Sequence, residues 1–125
     1  MKSGAKILIE GLQREGVETI FGYPGGVVLP IYDELYNAPI RHILVRHEQA
    51  AAHAADAWAR LTRGVGVAVV TAGPGVTDAV TGVANACAAA SPLVLLGGAA
   101  PTFNQGRGSL QEMPQTQLFQ GISKW

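Results

Sequence analysis

One cysteine, Cys87, stands alone in 125 residues, so no internal disulfide can form, and no group of cysteines and histidines has the spacing of a metal site. Long apolar runs are missing as well. None reaches the roughly 18 residues of a membrane span, and the N-terminal stretch Met-Lys-Ser-Gly-Ala-Lys-Ile-Leu-Ile-Glu is too short in apolar residues for a signal peptide. Charge is scarce: charged residues make up 14%, against about 25% in typical soluble domains. Nine acidic side chains balance nine basic ones, so there is no field to attract nucleic acid or an anionic membrane. We therefore expect a cytoplasmic protein with neither partner. A surface so poor in charge is expected to meet other protein, in a homo-oligomer or against a partner domain.

Apolar residues reach 48%, and sixteen glycines punctuate them. The length suits one domain, residues 1–125. Ala5, Leu8, Ile9 and Leu12 recur at helical spacing between Ser3, a suitable N-cap, and Gly16, a terminator, which predicts a helix over 4–15. A short strand over 18–22 leads through Tyr23-Pro24-Gly25-Gly26 into a helix carrying Val28, Ile31, Tyr32 and Leu35. The β-branched run 40–45 reads as a strand and the alanine-rich stretch 48–62 as a helix. The valine and alanine run 65–71 reads as a strand covered on both faces. A helix over 76–90 with Val76, Val80, Val83 and Cys87 along its stripe, then a strand over 93–96, complete the alternation. Cys87 is expected to be a small core residue. A glycine-rich loop fills 97–108, and 113–121 is a short helix at most.

Strand and helix alternating through short glycine turns predict an α/β fold: a parallel sheet with helices on both faces. The chain is expected to stop before a final helix and strand. A parallel sheet would gather three turns at one edge: Gly22 to Gly26, Arg46 to Gln49, and Thr71 to Gly75. The glycines let backbone approach a flat ligand, and Glu48 supplies one carboxylate where a strand meets a helix. Taken alone, Glu48 could equally be a helix-start acid stabilised by the dipole, and Gly73-Pro74-Gly75 ordinary turn chemistry. None of the turns is a Walker A loop or a full Gly-x-Gly-x-x-Gly fingerprint, which weighs against a nucleotide-binding domain.

Three segments carry a resemblance: Phe21-Gly-Tyr-Pro-Gly-Gly, then Arg46-His-Glu-Gln-Ala-Ala-Ala-His-Ala-Ala-Asp-Ala-Trp-Ala-Arg60, then Thr71-Ala-Gly-Pro-Gly-Val-Thr-Asp78. Together they resemble the pyrimidine-binding domain of thiamine-diphosphate enzymes, most of all the acetolactate synthase catalytic subunits. The likeness runs in order from about residue 4 to the end of the chain. It implies that Glu48 is catalytic, bonding N1′ of the cofactor's aminopyrimidine as a general acid in cofactor activation. It implies further that Tyr23, Pro24 and Gly25 pack near the pyrimidine, that Gly73, Pro74 and Gly75 line the same site, and that Gln111 lies towards the substrate. Two positions depart from the family: Leu110 stands where phenylalanine is usual, and Asp78 where asparagine is usual.

The resemblance implies thiamine diphosphate as cofactor, its magnesium and diphosphate held by a separate diphosphate-binding domain. That domain's Gly-Asp-Gly segment does not occur in this sequence. The chain would then contribute no metal ligand and half of a site in a thiamine-diphosphate-dependent transferase or lyase, inactive by itself. The alternative is a non-catalytic, self-associating α/β scaffold, in which Glu48 serves stability only. His47 and His53 are expected to make structural hydrogen bonds, and Trp58 and Tyr32 to be core or interface aromatics.

Overall fold

A computed structural model describes residues 1–124; Trp125 lies outside the described residues. Four parallel strands form the sheet: β1 (Thr19–Gly22), β2 (Arg41–Leu44), β3 (Gly66–Val70) and β4 (Leu93–Gly97), in the order β2-β1-β3-β4. The expected parallel α/β architecture is what forms. β1 aligns Ile20 with His42 on one side and with Val67 on the other. β3 continues the ladder with Ala68 beside Leu95. β1 and β3 are buried throughout, Thr19 the one polar residue between them, as strands of a doubly covered sheet are. β2 and β4, at the edges, are only partly covered.

Five helices accompany the strands: α1 (Gly4–Arg14), α2 (Leu29–Tyr36), α3 (Glu48–Thr62), α4 (Pro74–Ala88) and the short α5 (Gln115–Phe119). Alternate sides of the strands feed two separate cores. Ile9 of α1 and Leu35 of α2 pack with Ile20, Val67 and Val69 on one face. On the other, Ala51, Ala52 and Ala55 of α3 and Val76 and Ala79 of α4 pack with Phe21, Ala68 and Val70, and Phe119 of α5 joins them. Phe21 meets Trp58 edge to face, with ring centroids 6.0 Å apart, so Trp58 is a core aromatic.

Local sequence explains the helix ends. Ser3 Oγ accepts the Lys6 N–H at 3.1 Å and starts α1, and Gly16, at φ 75°, releases the chain after it. α2 is entered through a single 3₁₀ turn (Gly26–Val28), and Pro30 falls in its first turn, where no intrahelical N–H is needed. α4 begins two residues before the expected start because Pro74 serves as its opening residue.

One expectation fails. Cys87 is exposed, not part of the core. The buried stripe of α4 is Gly75, Val76, Ala79, Gly82, Val83 and Ala86, one position removed from the stripe read through Val80 and Cys87. At the closest approach of α3 the inward residue is glycine because nothing larger fits: a Cβ on Gly82 would run into Ala52 and come within 3.0 Å of the His53 backbone nitrogen. Asp56 and Asn85 reinforce this contact. Asp56, 4% exposed, accepts from Arg60 at 2.8 and 2.7 Å and from Asn85 Nδ2 of α4 at 2.7 Å.

Candidate functional site

The chain passes from β1 to β2 on one side and then across β1 to β3 on the other. The helices that follow the neighbouring strands β1 and β3 therefore cover opposite faces. A crevice opens outside the carboxyl ends of strands arranged in this way, where open α/β sheets take their ligands. The two glycine-bearing turns, Gly22 to Gly26 and Thr71 to Gly75, meet the Arg46 to Gln49 turn there.

β1 ends in Tyr23-Pro24-Gly25, with the Tyr23 N–H donating to Val69 O at 3.1 Å and both Tyr23 and Pro24 exposed. Across from it, Thr71 ends β3 with its side chain packed so closely on Gly25 that no Cβ would fit there. Thr71 Oγ1 is buried and finds no hydrogen-bond partner. The same threonine bounds Gly75, where a Cβ would lie 2.8 Å from Thr71 Cγ2 and 3.2 Å from Glu48 Oε1. Glu48, half-buried as the first residue of α3, thus faces the bare backbone of the Gly75 turn. The ion pairs among the described residues, Lys2–Glu10 and Arg60–Asp56, and the His47–Asp78 contact do not engage it. Of the alanines that follow Glu48, Ala51 and Ala52 are buried while Ala50 is exposed, as helical periodicity dictates.

His47 caps α3: its Nδ1 accepts the Gln49 N–H at 3.2 Å, which leaves the hydrogen on Nε2. That nitrogen faces Asp78 Oδ2 at 3.7 Å. His47, Glu48 and Asp78 bring one donor atom each within 4.8 Å of one another. No sequence spacing announced this trio, because α4 brings Asp78 in from elsewhere in the chain. His53 sits 3.4 Å from Gln49 on the outer surface of α3.

Gln111 meets the site from the strap of chain that follows β4. Both it and Gly73 adopt φ 61°, and a Cβ on Gly73 would collide with the Gln111 carbonyl. Leu110, beside it, is 87% exposed. The sequence gives no hint of one further contributor. Gln115, at the start of α5, accepts the Gly73 N–H at 3.1 Å and donates to Gly98 O. Behind β1, Tyr32 and His42 stack edge to face at 5.0 Å, each with a buried polar atom that lacks a partner. Burial pushes the Tyr32 phenol up to about 12 and the His42 imidazole below its ordinary range.

Fold and site together define a doubly wound α/β domain with a carboxylate set among glycine turns at the switch point of its sheet. Comparison with known families narrows this. Residues 2–118 match the family described as thiamine pyrophosphate enzyme, N-terminal TPP binding domain, and the chain belongs to that family. It is 52% identical, over 97% of its length, to a probable acetolactate synthase large subunit of Methanocaldococcus jannaschii. It is 53% identical over 88% to the acetolactate synthase large subunit of Parasynechococcus marenigrum, and 47% over 99% to the acetolactate synthase isozyme 3 large subunit of Escherichia coli. The chain spans 20%, 18% and 22% of these relatives, about one fifth of their length.

Proposed function

We propose that this chain binds the aminopyrimidine half of thiamine diphosphate and serves as one wall of the active site in an acetolactate-synthase-like carboligase. When bound, the cofactor supplies the carbanion-stabilising chemistry of 2-oxoacid decarboxylation and carboligation. Glu48 is the residue that carries the reading. Its carboxyl oxygen stands over the side-chain-free Gly75 turn, outside the ion pairs of the described residues. An acid so placed can hold a proton against a ring nitrogen that enters the crevice.

The other residues orient and exclude. Tyr23, Pro24 and Gly25 form the side of the crevice at β1, and Gly73, Pro74 and Gly75 the side at β3, where the glycines let Thr71, Gln111 and Glu48 close on bare backbone. Gln111 lies beside Gly73, towards the position a substrate would take. The diphosphate and its magnesium fall to a second, diphosphate-binding domain, and residues 1–125 act as a single pyrimidine-binding unit within a larger, oligomeric enzyme.

Calorimetric titration with thiamine diphosphate and magnesium tests this. It is run on the chain alone and on a chimera in which the chain replaces the matching fifth of the Methanocaldococcus jannaschii relative. The chimera is expected to bind and the chain alone to bind weakly. Tight magnesium-dependent binding by the chain alone would overturn the half-site reading, and a chimera that folds but does not bind would overturn the cofactor reading.

A further inference from the structure

We propose that Gln115 is a positioning residue: its side-chain amide clasps the strap between β4 and α5 to the turn after β3, fixing Gly73 and Gln111 as one rim of the crevice. The inference rests on reading that turn as part of the cofactor site. Gln115 Oε1 accepts the N–H of Gly73 at 3.1 Å, and its Nε2 donates to the carbonyl of Gly98 at 2.5 Å. Gly98 is itself tied to the sheet, its N–H donating to Val70 O at 2.9 Å. One amide thus joins the end of β3, the exit from β4 and the start of α5.

The geometry makes Gly73 the point at which this matters. Gly73 is buried, with φ 61° and ψ −112°, and its carbonyl starts α4 by accepting the Thr77 N–H at 2.9 Å. Its own N–H points to the Gln115 amide, so the turn's orientation depends on that acceptor. On the other side of Gly73 the strap lays down Gln111, itself at φ 61°. The strap is shaped from within by Glu112, whose carboxylate accepts the N–H groups of Gly106 at 2.5 Å and Ser109 at 3.0 Å. Ser109 Oγ then donates to Asn104 O at 3.0 Å. Phe119 anchors the far end in the core beside Phe21 and Val70. Shaped at Glu112 and anchored at Phe119, the strap registers with the β3 turn through Gln115. The amide supplies both the acceptor and the donor; a methionine of similar shape supplies no donor and only a weak acceptor, and a carboxylate only the acceptor.

The test follows the Gly73 amide in nitrogen-labelled protein. In Gln115→Met its signal is expected to move and its exchange with solvent to quicken by about tenfold or more, with the β3 amides unchanged. In Gln115→Glu the acceptor for Gly73 is kept at neutral pH and only the donor to Gly98 O is lost, so the Gly73 amide is expected to stay protected. The amide signals next to the Gly98 carbonyl are expected to move in this variant, and their staying in place would contradict the second half of the clasp. In the chimera, Gln115→Met is expected to weaken thiamine diphosphate binding about tenfold. An unmoved Gly73 amide in Gln115→Met would overturn the clasp. A moved amide with unchanged cofactor affinity would overturn its positioning role. A chimera with native Gln115 that binds no cofactor would instead overturn the cofactor reading of the turn, and the clasp would still be decided by the amide signal.

Discussion

Glu48 Oε1 lies 3.2 Å from the point where a side chain on Gly75 would begin. The acid belongs to the first turn of α3 and the glycine to the first turn of α4, so two helix starts converge on one point at the sheet's edge. Substitution separates the proposed working acid from an ordinary helix-start carboxylate. Glu48→Gln keeps the size and the helix start but removes the ionisable group. In the chimera it is expected to lower turnover by roughly 10² to 10⁴ while the circular dichroism spectrum is unchanged. Undiminished turnover would favour the scaffold alternative.

The turn beneath Glu48 tolerates no side chain at Gly73. A methyl there meets the Gln111 carbonyl and must also accept φ 61°. Gly73→Ala is expected to cost about 1–3 kcal/mol in urea denaturation. Gly26, in an exposed turn with open space around its α-carbon, is the control, and Gly26→Ala should cost less than about 0.5 kcal/mol.

Close approach of α3 and α4 rests on Gly82 meeting Ala52. Gly82→Val is expected to push the helices apart at a cost of about 1–3 kcal/mol. Because α3 carries Glu48 and α4 begins at the Gly73-Pro74-Gly75 turn, the same variant should also weaken cofactor binding by the chimera. A variant of native stability would show that this contact is not close-packed.

Stability should decline with acid in two stages. Burial holds His42 below its ordinary range, whereas the unfolded chain takes up a proton near pH 6.5. The unfolded state therefore binds more protons as the pH falls through about 6.5, and stability drops until the native imidazole also titrates. The Arg60 hydrogen bond, with those of Ser91 and Asn85, holds the Asp56 carboxyl below its usual range. Its contribution is complete above about pH 3.9 and is lost as the pH falls through the native value. Denaturation midpoints across this range should show both stages, and His42→Phe should flatten the first. A level profile between about pH 7 and 5 would contradict the burial of His42.

The exposed thiol of Cys87 should react with a maleimide in the folded chain as readily as in the unfolded one. A large protection factor would restore it to the core, or cover it with another subunit.

The order of elements was legible because hydrophobic period and turn chemistry are local properties. Val65 to Thr71 could only be a covered strand, and Ser3, Gly16 and Pro30 mark ends of helices by their own backbone constraints. The gathering of Glu48 with the turns at Gly25 and Gly75 followed from parallel alternation, which places successive strand ends on one edge. Cys87 was misplaced because the inward face of α4 runs through Ala79, Gly82 and Ala86 beside Val76 and Val83; the close approach of α3 at Gly82 decides that, and the approach is tertiary. Gln115 gave no signal in the sequence for a related reason. An exposed-looking glutamine becomes a structural amide only when folding carries it to Gly73, 42 residues back along the chain.

The sequence by itself determined the alternation of strands and helices, the family, and the acid at the start of α3, because these depend on residue type and short-range spacing. Tertiary structure alone decided which small residues bear the helix contact, that Thr71 and Glu48 both close on Gly75, and that Gln115 ties the strap to the β3 turn. Those outcomes depend on distances between segments remote in the chain, which are fixed only when both faces of the sheet are packed.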